Sequence, residues 1–353
     1  MPLTEHAENI PGPDAATGPN RKLVAAYSDI GAEFAALRSH AGVYDLGWRS
    51  KIALTGSDRI RWLNGMLTNN VRDLAFNHGV YAFLLNPQGR IQADLYAYNR
   101  GEYLLVDTAE SQTQKLLSIF DHYIIMDDVE VTDSSESLTA IGIAGPKASD
   151  VLTAAGIETP DLKPLQVHDA MWQEIGISIV CGDKEAVACY ELWLKPSNVE
   201  RVWGGLVKAG ALPVGSQACE LLRVAAGIPR YGQDITERDL PQETEQARAL
   251  HFNKGCYVGQ EIVERIHSRG NVHRMFTGFV LHGAKPEPGT KVQVDTKDVG
   301  EITSAATLGV GEKDCTVALG YIRREHGTAG KEVLIGGSKA IVSKLPFYVV
   351  FRN

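Results

Sequence analysis

No stretch of this chain approaches the ~18 consecutive apolar residues that a membrane-spanning helix requires. Met1–Asn20 has neither a basic start nor an apolar centre, so it is not expected to act as a secretory signal. Its Pro, Gly, Asn and Ala content predicts a disordered lead-in over 1–20. Cysteine is scarce and unpaired. Cys181, Cys189, Cys219, Cys256 and Cys315 form no C-x-x-C pair, and no histidine stands at zinc-finger spacing from them. That excludes a disulfide scaffold and a zinc finger, and predicts free thiols in a cytoplasmic protein with no resident metal. Basic charge is also in deficit. A formal net charge of −8 argues against a nucleic-acid-gripping surface, which shows a basic domain or stripe. There is no short-period repeat.

What is present suits a globular protein. Apolar residues make up 44% of the 353, enough for more than one core, and the length predicts two or three domains at ~100–200 residues each. Capping and helical spacing predict helices over 28–42 and from Ser57. Strand-length runs and turn signals then predict an antiparallel meander. Val80–Leu85 is followed by the turn Asn86-Pro87-Gln88-Gly89, then by alternating Ile91–Tyr98, then by Tyr103–Val106. A helix over 111–123 and a strand over 128–132 follow. A comparable set appears later, with strands at 138–144, 177–181 and 190–194 and helices at 148–155 and 197–209. From Met275 short strands with Gly/Pro turns predict a small all-β barrel or sandwich. The mixture indicates α+β packing. The expected domains are a lead-in over 1–20, α+β units over 21–135 and 136–274, and a β-domain over 275–353.

One segment stands out: Lys254-Gly255-Cys256-Tyr257-Val258-Gly259-Gln260-Glu261. Gly255 and Gly259 bracket the cysteine, as a backbone needing positive φ or close approach would require. Gln260–Arg269 reads as a helix with Ile262, Val263 and Ile266 inward. A cysteine just ahead of a helix start and near a lysine is biased toward thiolate. The alternative is a small buried apolar side chain. A single cysteine cannot hold an iron–sulfur cluster alone.

This segment resembles the signature of YgfZ-type folate-binding proteins, a branch of the glycine-cleavage T-protein (aminomethyltransferase) superfamily that includes mitochondrial iron–sulfur assembly factors. Trp62–Asn70, Leu222–Pro229 with Tyr231-Gly232, Leu240–Glu243, Gly300–Ser304 and Leu319–Tyr321 extend the resemblance over roughly 25–350. It implies a ring-like, multi-domain T-protein fold with two ferredoxin-like antiparallel sheet/helix units and a C-terminal β-barrel. It also implies tetrahydrofolate or a derivative as cofactor.

The transferases of the superfamily carry Gly-Gly-x-x-Asp-Asp in the second strand of the meander. This chain has Gly89-Arg90-Ile91-Gln92-Ala93-Asp94 there. Ala93 cannot exchange a proton, and Asp94 projects from the opposite strand face. The function the resemblance implies is therefore a folate-binding accessory protein for iron–sulfur enzymes, including tRNA-modifying ones. Cys256, Lys254 and Asp94 are its reactive candidates. Cys256 could ligate a cluster transiently with a partner. The alternatives are a folate-dependent aminomethyltransferase and an RNA-interacting factor. By resemblance Glu191 reads the pterin edge. Arg223 is a candidate for the glutamyl tail, against a structural arginine paired to Glu220 or Asp234. Tyr81, Tyr96 and Trp193 are candidates to stack on the pterin, against a place in the core. The locally basic 251–274 stretch is a solvated face, or a seat for folate glutamates, an acidic partner or RNA phosphates.

Overall fold

The computed structural model describes residues 23–183, 186–270, 272–310 and 313–347. The predicted lead-in over 1–20 lies outside them. In chain order the elements are α1 (Ile30–Ser39), β1 (Gly42–Asp45), β2 (Arg49–Thr55), α2 (Arg59–Met66), β3 (His78–Leu85), β4 (Ile91–Asn99), β5 (Leu104–Ala109), α3 (Glu110–Tyr123), β6 (Glu130–Asp133), β7 (Thr139–Ala144), α4 (Ala148–Ala154), β8 (Val167–Trp172), β9 (Ile175–Cys181), β10 (Cys189–Leu194), α5 (Val199–Lys208), β11 (Leu212–Pro213), α6 (Ser216–Ala225), α7 (Gln260–Arg269) and the strands β12 (Arg274–Leu281), β13 (Lys291–Val294), β14 (Lys297–Val310), β15 (Lys313–Arg323), β16 (Glu332–Ile335) and β17 (Ser338–Ser343).

By its contacts the chain divides into two units. The first comprises 1–63, 70–81 and 95–219; the second comprises 64–69, 82–94 and 220–353. Two sheets organise the helical part. One runs β11-β1-β7-β10-β9-β8 and the other β3-β4-β5-β2-β6. The first recruits β1 from far upstream, where its register sets Val43 against Ile143.

In the first unit α4 and α5 cover one face of the β7/β10 sheet. Val151, Leu152, Val202, Trp203 and Leu206 pack there against Ile141, Ile143, Ile179, Leu192 and Leu194. Burying such side chains is worth ~1.5–3 kcal/mol each. Alternation sends Ala140, Val180 and Trp193 to the opposite face, where they share a cluster with Tyr98 and Leu105 of the meander sheet. The two sheets of this unit therefore meet through an aromatic layer.

In the second unit β12-β15-β14-β13-β16-β17 close into a six-stranded antiparallel barrel. Its core is Phe279, Val292, Ile302, Ala318, Ile322, Val333 and Val342, among others. Closure leaves no open sheet edge within the barrel. The α+β reading with a terminal barrel holds.

Candidate functional site

The chemistry-bearing side chains of the first unit gather where its two sheets face each other. Glu191 lies on β10 opposite Gly142 of β7 and Val180 of β9. It is half-buried. Its Oε2 accepts a hydrogen bond from the Trp193 indole Nε1 at 3.0 Å. Among the described residues Oε1 accepts none. The backbone beside it is kept bare: a Cβ on Gly142 would stand 2.2 Å from the Tyr44 ring, which crosses that position. Burial pushes the Tyr44 hydroxyl pKa up, with Cys189, Cys219 and Glu191 adding to it.

Opposite Glu191 stands a charged group that the sequence reading passed over. Lys51 on β2 is in register with Asp107 on β5, and Asp107 with Tyr96 on β4. Asp107 and Lys51 are buried. The Asp107 Oδ1 accepts from Arg49 Nε at 2.8 Å, while Oδ2 lies 2.9 Å from Lys51 Nζ. The second contact falls outside hydrogen-bond angles and is a Coulombic pair. Lys51 Nζ also sits 4.7 Å above the Trp193 ring, a cation–π contact in a desolvated setting. Arg49 lies 5.4 Å from the Trp48 ring and 5.5 Å from the Tyr96 ring. Burial opposes its charge, but Asp107 and Glu191 outweigh that and hold it protonated. Asp107, a single carboxylate in the buried run Leu104–Ala109, was the sequence signal that could have exposed this group.

The proposed aromatic contacts are distributed unevenly. Tyr81 and Tyr96 lie 5.0 Å apart, and Tyr98 meets Trp193 edge-on at 4.9 Å. Tyr81 and Trp193 are buried, at 4% and 2% exposure; Tyr96 is half-buried. A ligand ring could reach Tyr96 without displacing core packing.

In the second unit the cysteine loop is sewn to the segment ending α2. Lys254 Nζ donates to the Asn64 carbonyl, Val258 N to Gly65 O at 3.1 Å, and Asn69 Nδ2 to Arg248 O at 2.8 Å. Thr68 Oγ1 donates to Ala249 O at 2.7 Å. Two motifs far apart in sequence thus form one structural piece. Lys254 is 3% exposed, and its ammonium lies 4.8 Å over the Tyr257 ring. The ammonium is engaged by the Asn64 carbonyl and the Tyr257 ring. Cys256 is exposed and precedes the cap of α7, Gly259, by three residues.

The remaining motif positions are structural in their contacts. Gly255 and Gly259 both have positive φ, +94° and +80°. A Cβ on Gly259 would lie 2.5 Å from the Asn86 carbonyl. Gln260 Oε1 accepts from Tyr257 N at 3.3 Å. Glu261 is exposed and faces Arg265 at 3.6 Å. On β4, Ala93 is fully buried while Gln92, Asp94 and Tyr96 alternate onto the half-exposed face.

Arg223 has all five N–H donors bonded within the protein. They go to Glu220 twice, Asp234, the Ile228 carbonyl and Ser304, between 2.6 and 2.8 Å. A glutamyl tail would have to displace one of these. Among the described residues no three His, Cys, Asp or Glu side chains converge as a metal-binding set, and no helix is long and apolar enough to cross a membrane.

This fold, an α+β assembly of two facing sheets with a closed terminal barrel, is that of aminomethyltransferases. The chain superposes on the glycine cleavage system aminomethyltransferase T of Bartonella henselae with a TM-score of 0.81, covering 91% of this chain and 90% of the other at 22% identity. Residues 19–254 match the GCVT N-terminal domain model, and the chain belongs to that family. It is 32% identical to the aminomethyltransferase of Rubrobacter xylanophilus, over 93% of this chain and 88% of that one. It is 30% identical to the aminomethyltransferase of a Nostoc species, over 91% and 88%.

Proposed function

We propose that the protein binds a reduced folate and belongs to the folate-dependent transferases. The observation that carries this is Glu191: a half-buried carboxylate with one oxygen fixed by Trp193 and the other without a hydrogen bond from any described residue. A carboxylate so placed accepts the paired N–H donors of an amino-pyrimidinone edge. Relatives named aminomethyltransferase along nearly the whole chain support the transfer chemistry. Bound tetrahydrofolate would supply a ring nitrogen that receives a one-carbon unit. Glu191 would orient that ring, and Tyr96 would flank it. Proton exchange at that nitrogen cannot come from Ala93, which carries no ionisable group.

Titration calorimetry with a reduced folate on wild type and Glu191→Ala tests the binding. Binding lost or weakened at least tenfold in the variant is expected; an unchanged affinity removes Glu191 from the site, and no binding by wild type ends the folate reading. Turnover of an aminomethyl or methylamine donor with tetrahydrofolate tests the transfer. Its absence across such donors, with folate bound, favours the second reading.

That second reading is an accessory factor for iron–sulfur enzymes, tRNA-modifying ones among its clients. Cys256 would be its essential thiol, reacting or ligating a cluster transiently with a partner. The exposure of Cys256, where the other four cysteines are half-buried, favours it. Cys256→Ala would then abolish support of a client enzyme while folate binding persists. A fully active variant excludes this role.

A further inference from the structure

Arg49 and Lys51 project from one face of β2, and Glu191 and Trp193 from one face of β10, because alternate strand residues share a face. The two faces oppose each other: Lys51 Nζ lies 4.7 Å over the Trp193 ring. The other member of each pair, Arg49 and Glu191, is thereby brought to the same neighbourhood, and the carboxylate acts electrostatically on the guanidinium. Several contacts hold Arg49 in this setting. Its Nε is held by Asp107 at 2.8 Å, Asp107 is backed by Lys51 at 2.9 Å, and the Tyr96 and Trp48 rings flank its plane. Only Nε is engaged. Among the described residues the two Nη groups carry no hydrogen bond, and 14% of the side chain is open to solvent.

A clamped guanidinium with its outer fork open, beside a carboxylate with one oxygen open, forms a donor–acceptor pair. Such a pair fits a planar ring that offers N–H donors next to a carbonyl. We infer that Arg49 is a specificity-determining residue that donates to the 4-oxo group of the pterin whose amino-pyrimidinone edge Glu191 accepts. This rests on the folate reading above and goes beyond it by assigning what selects the ring's oxidation pattern at carbon 4. A 4-amino ring presents N–H donors where Arg49 also donates, and when protonated it places a cation beside one. Buried donors left facing donors are costly, which makes this discrimination large. Glu191 alone also disfavours the 4-amino ring, which lacks a proton on N3. The share belonging to Arg49 is therefore the change in selectivity on its removal.

The test is binding of a 4-oxo reduced folate and its 4-amino counterpart to full-length wild type, Arg49→Met and Arg49→Lys, with near-ultraviolet circular dichroism as the fold control. Wild type is expected to prefer the 4-oxo ligand by at least ~30-fold. Arg49→Met should weaken 4-oxo binding ~10- to 100-fold, the range of a hydrogen bond to a charged group, with little effect on the 4-amino ligand. Arg49→Lys keeps the charge beside Asp107 and loses the fork, and should fall between. A wild type that binds both ligands equally overturns the inference even if neither variant folds. So do folded variants with wild-type affinity and selectivity. If wild type binds neither ligand, the folate reading fails and this inference with it. If wild type and the variants bind folate alike while Glu191→Ala does not, the folate reading stands and Arg49 alone is excluded.

Discussion

Individual side chains in this protein divide between those held by the fold and those left open. Arg223 belongs to the first group. Asp234, its partner, is fully buried and also accepts from Ser304 and Thr303. Replacing Arg223 by Met leaves that carboxylate uncompensated, and a loss of about 3–5 kcal/mol in denaturant unfolding is expected. The same change should alter the acid limb of stability. Burial raises the Glu220 pKa, but the Arg223 and Arg230 contacts outweigh that and hold it below its ordinary value. A depressed carboxylate contributes stability above its unfolded pKa, near 4.3, that is lost as pH falls through the folded value. Wild type should therefore lose stability below about pH 4.3 more steeply than Arg223→Met, read from melting temperature against pH. Cys256 belongs to the open group. Cys256→Ala should leave unfolding within about 0.5 kcal/mol of wild type, so any functional loss reports chemistry rather than folding.

At the scale of elements, the glycines of the signature act through the backbone. Gly259 starts α7 in a left-handed conformation, and its missing Cβ lets the 86–89 turn approach. Gly259→Ala adds left-handed strain of ~1–2 kcal/mol before the clash with the Asn86 carbonyl is counted. Chemical denaturation should show at least that loss. Gly142→Ala on β7 makes the complementary case. The Tyr44 ring must move, at ~1–3 kcal/mol for overpacking, and because Glu191 is in register with Gly142, folate affinity should fall as well. Elements with strong periodicity or caps were legible in the sequence. The Ile91–Ala97 alternation became β4, and the α7 limits coincide with the expected Gln260–Arg269. β1 and β8 were not, because strands of four to six residues with little alternation are defined by their partners rather than by their own pattern.

For the whole molecule, connectivity matters more than any boundary placed along the chain. The chain passes between its two units five times, so neither is a continuous piece. A fragment of 220–353 lacks Asn64, Gly65, Thr68 and Asn69, which bond Lys254, Val258, Ala249 and Arg248. Amide exchange over 248–258 should accordingly be much faster in that fragment than in the full chain, while the barrel strands keep their protection. Equal protection in both would mean the loop holds itself.

The sequence alone determined the α+β class, the terminal barrel, the departure at Ala93 and the prominence of the Lys254–Glu261 segment, since each is written in local pattern or residue identity. It also carried the choice for Arg223 between a ligand contact and an ion pair with Glu220 or Asp234, without the means to decide it. Only the tertiary structure did that, by bonding all five donors. Only it joined Arg49, Lys51 and Asp107 to Glu191 and Trp193. Those residues lie up to 144 positions apart, and no local pattern records which strand faces will meet across a core.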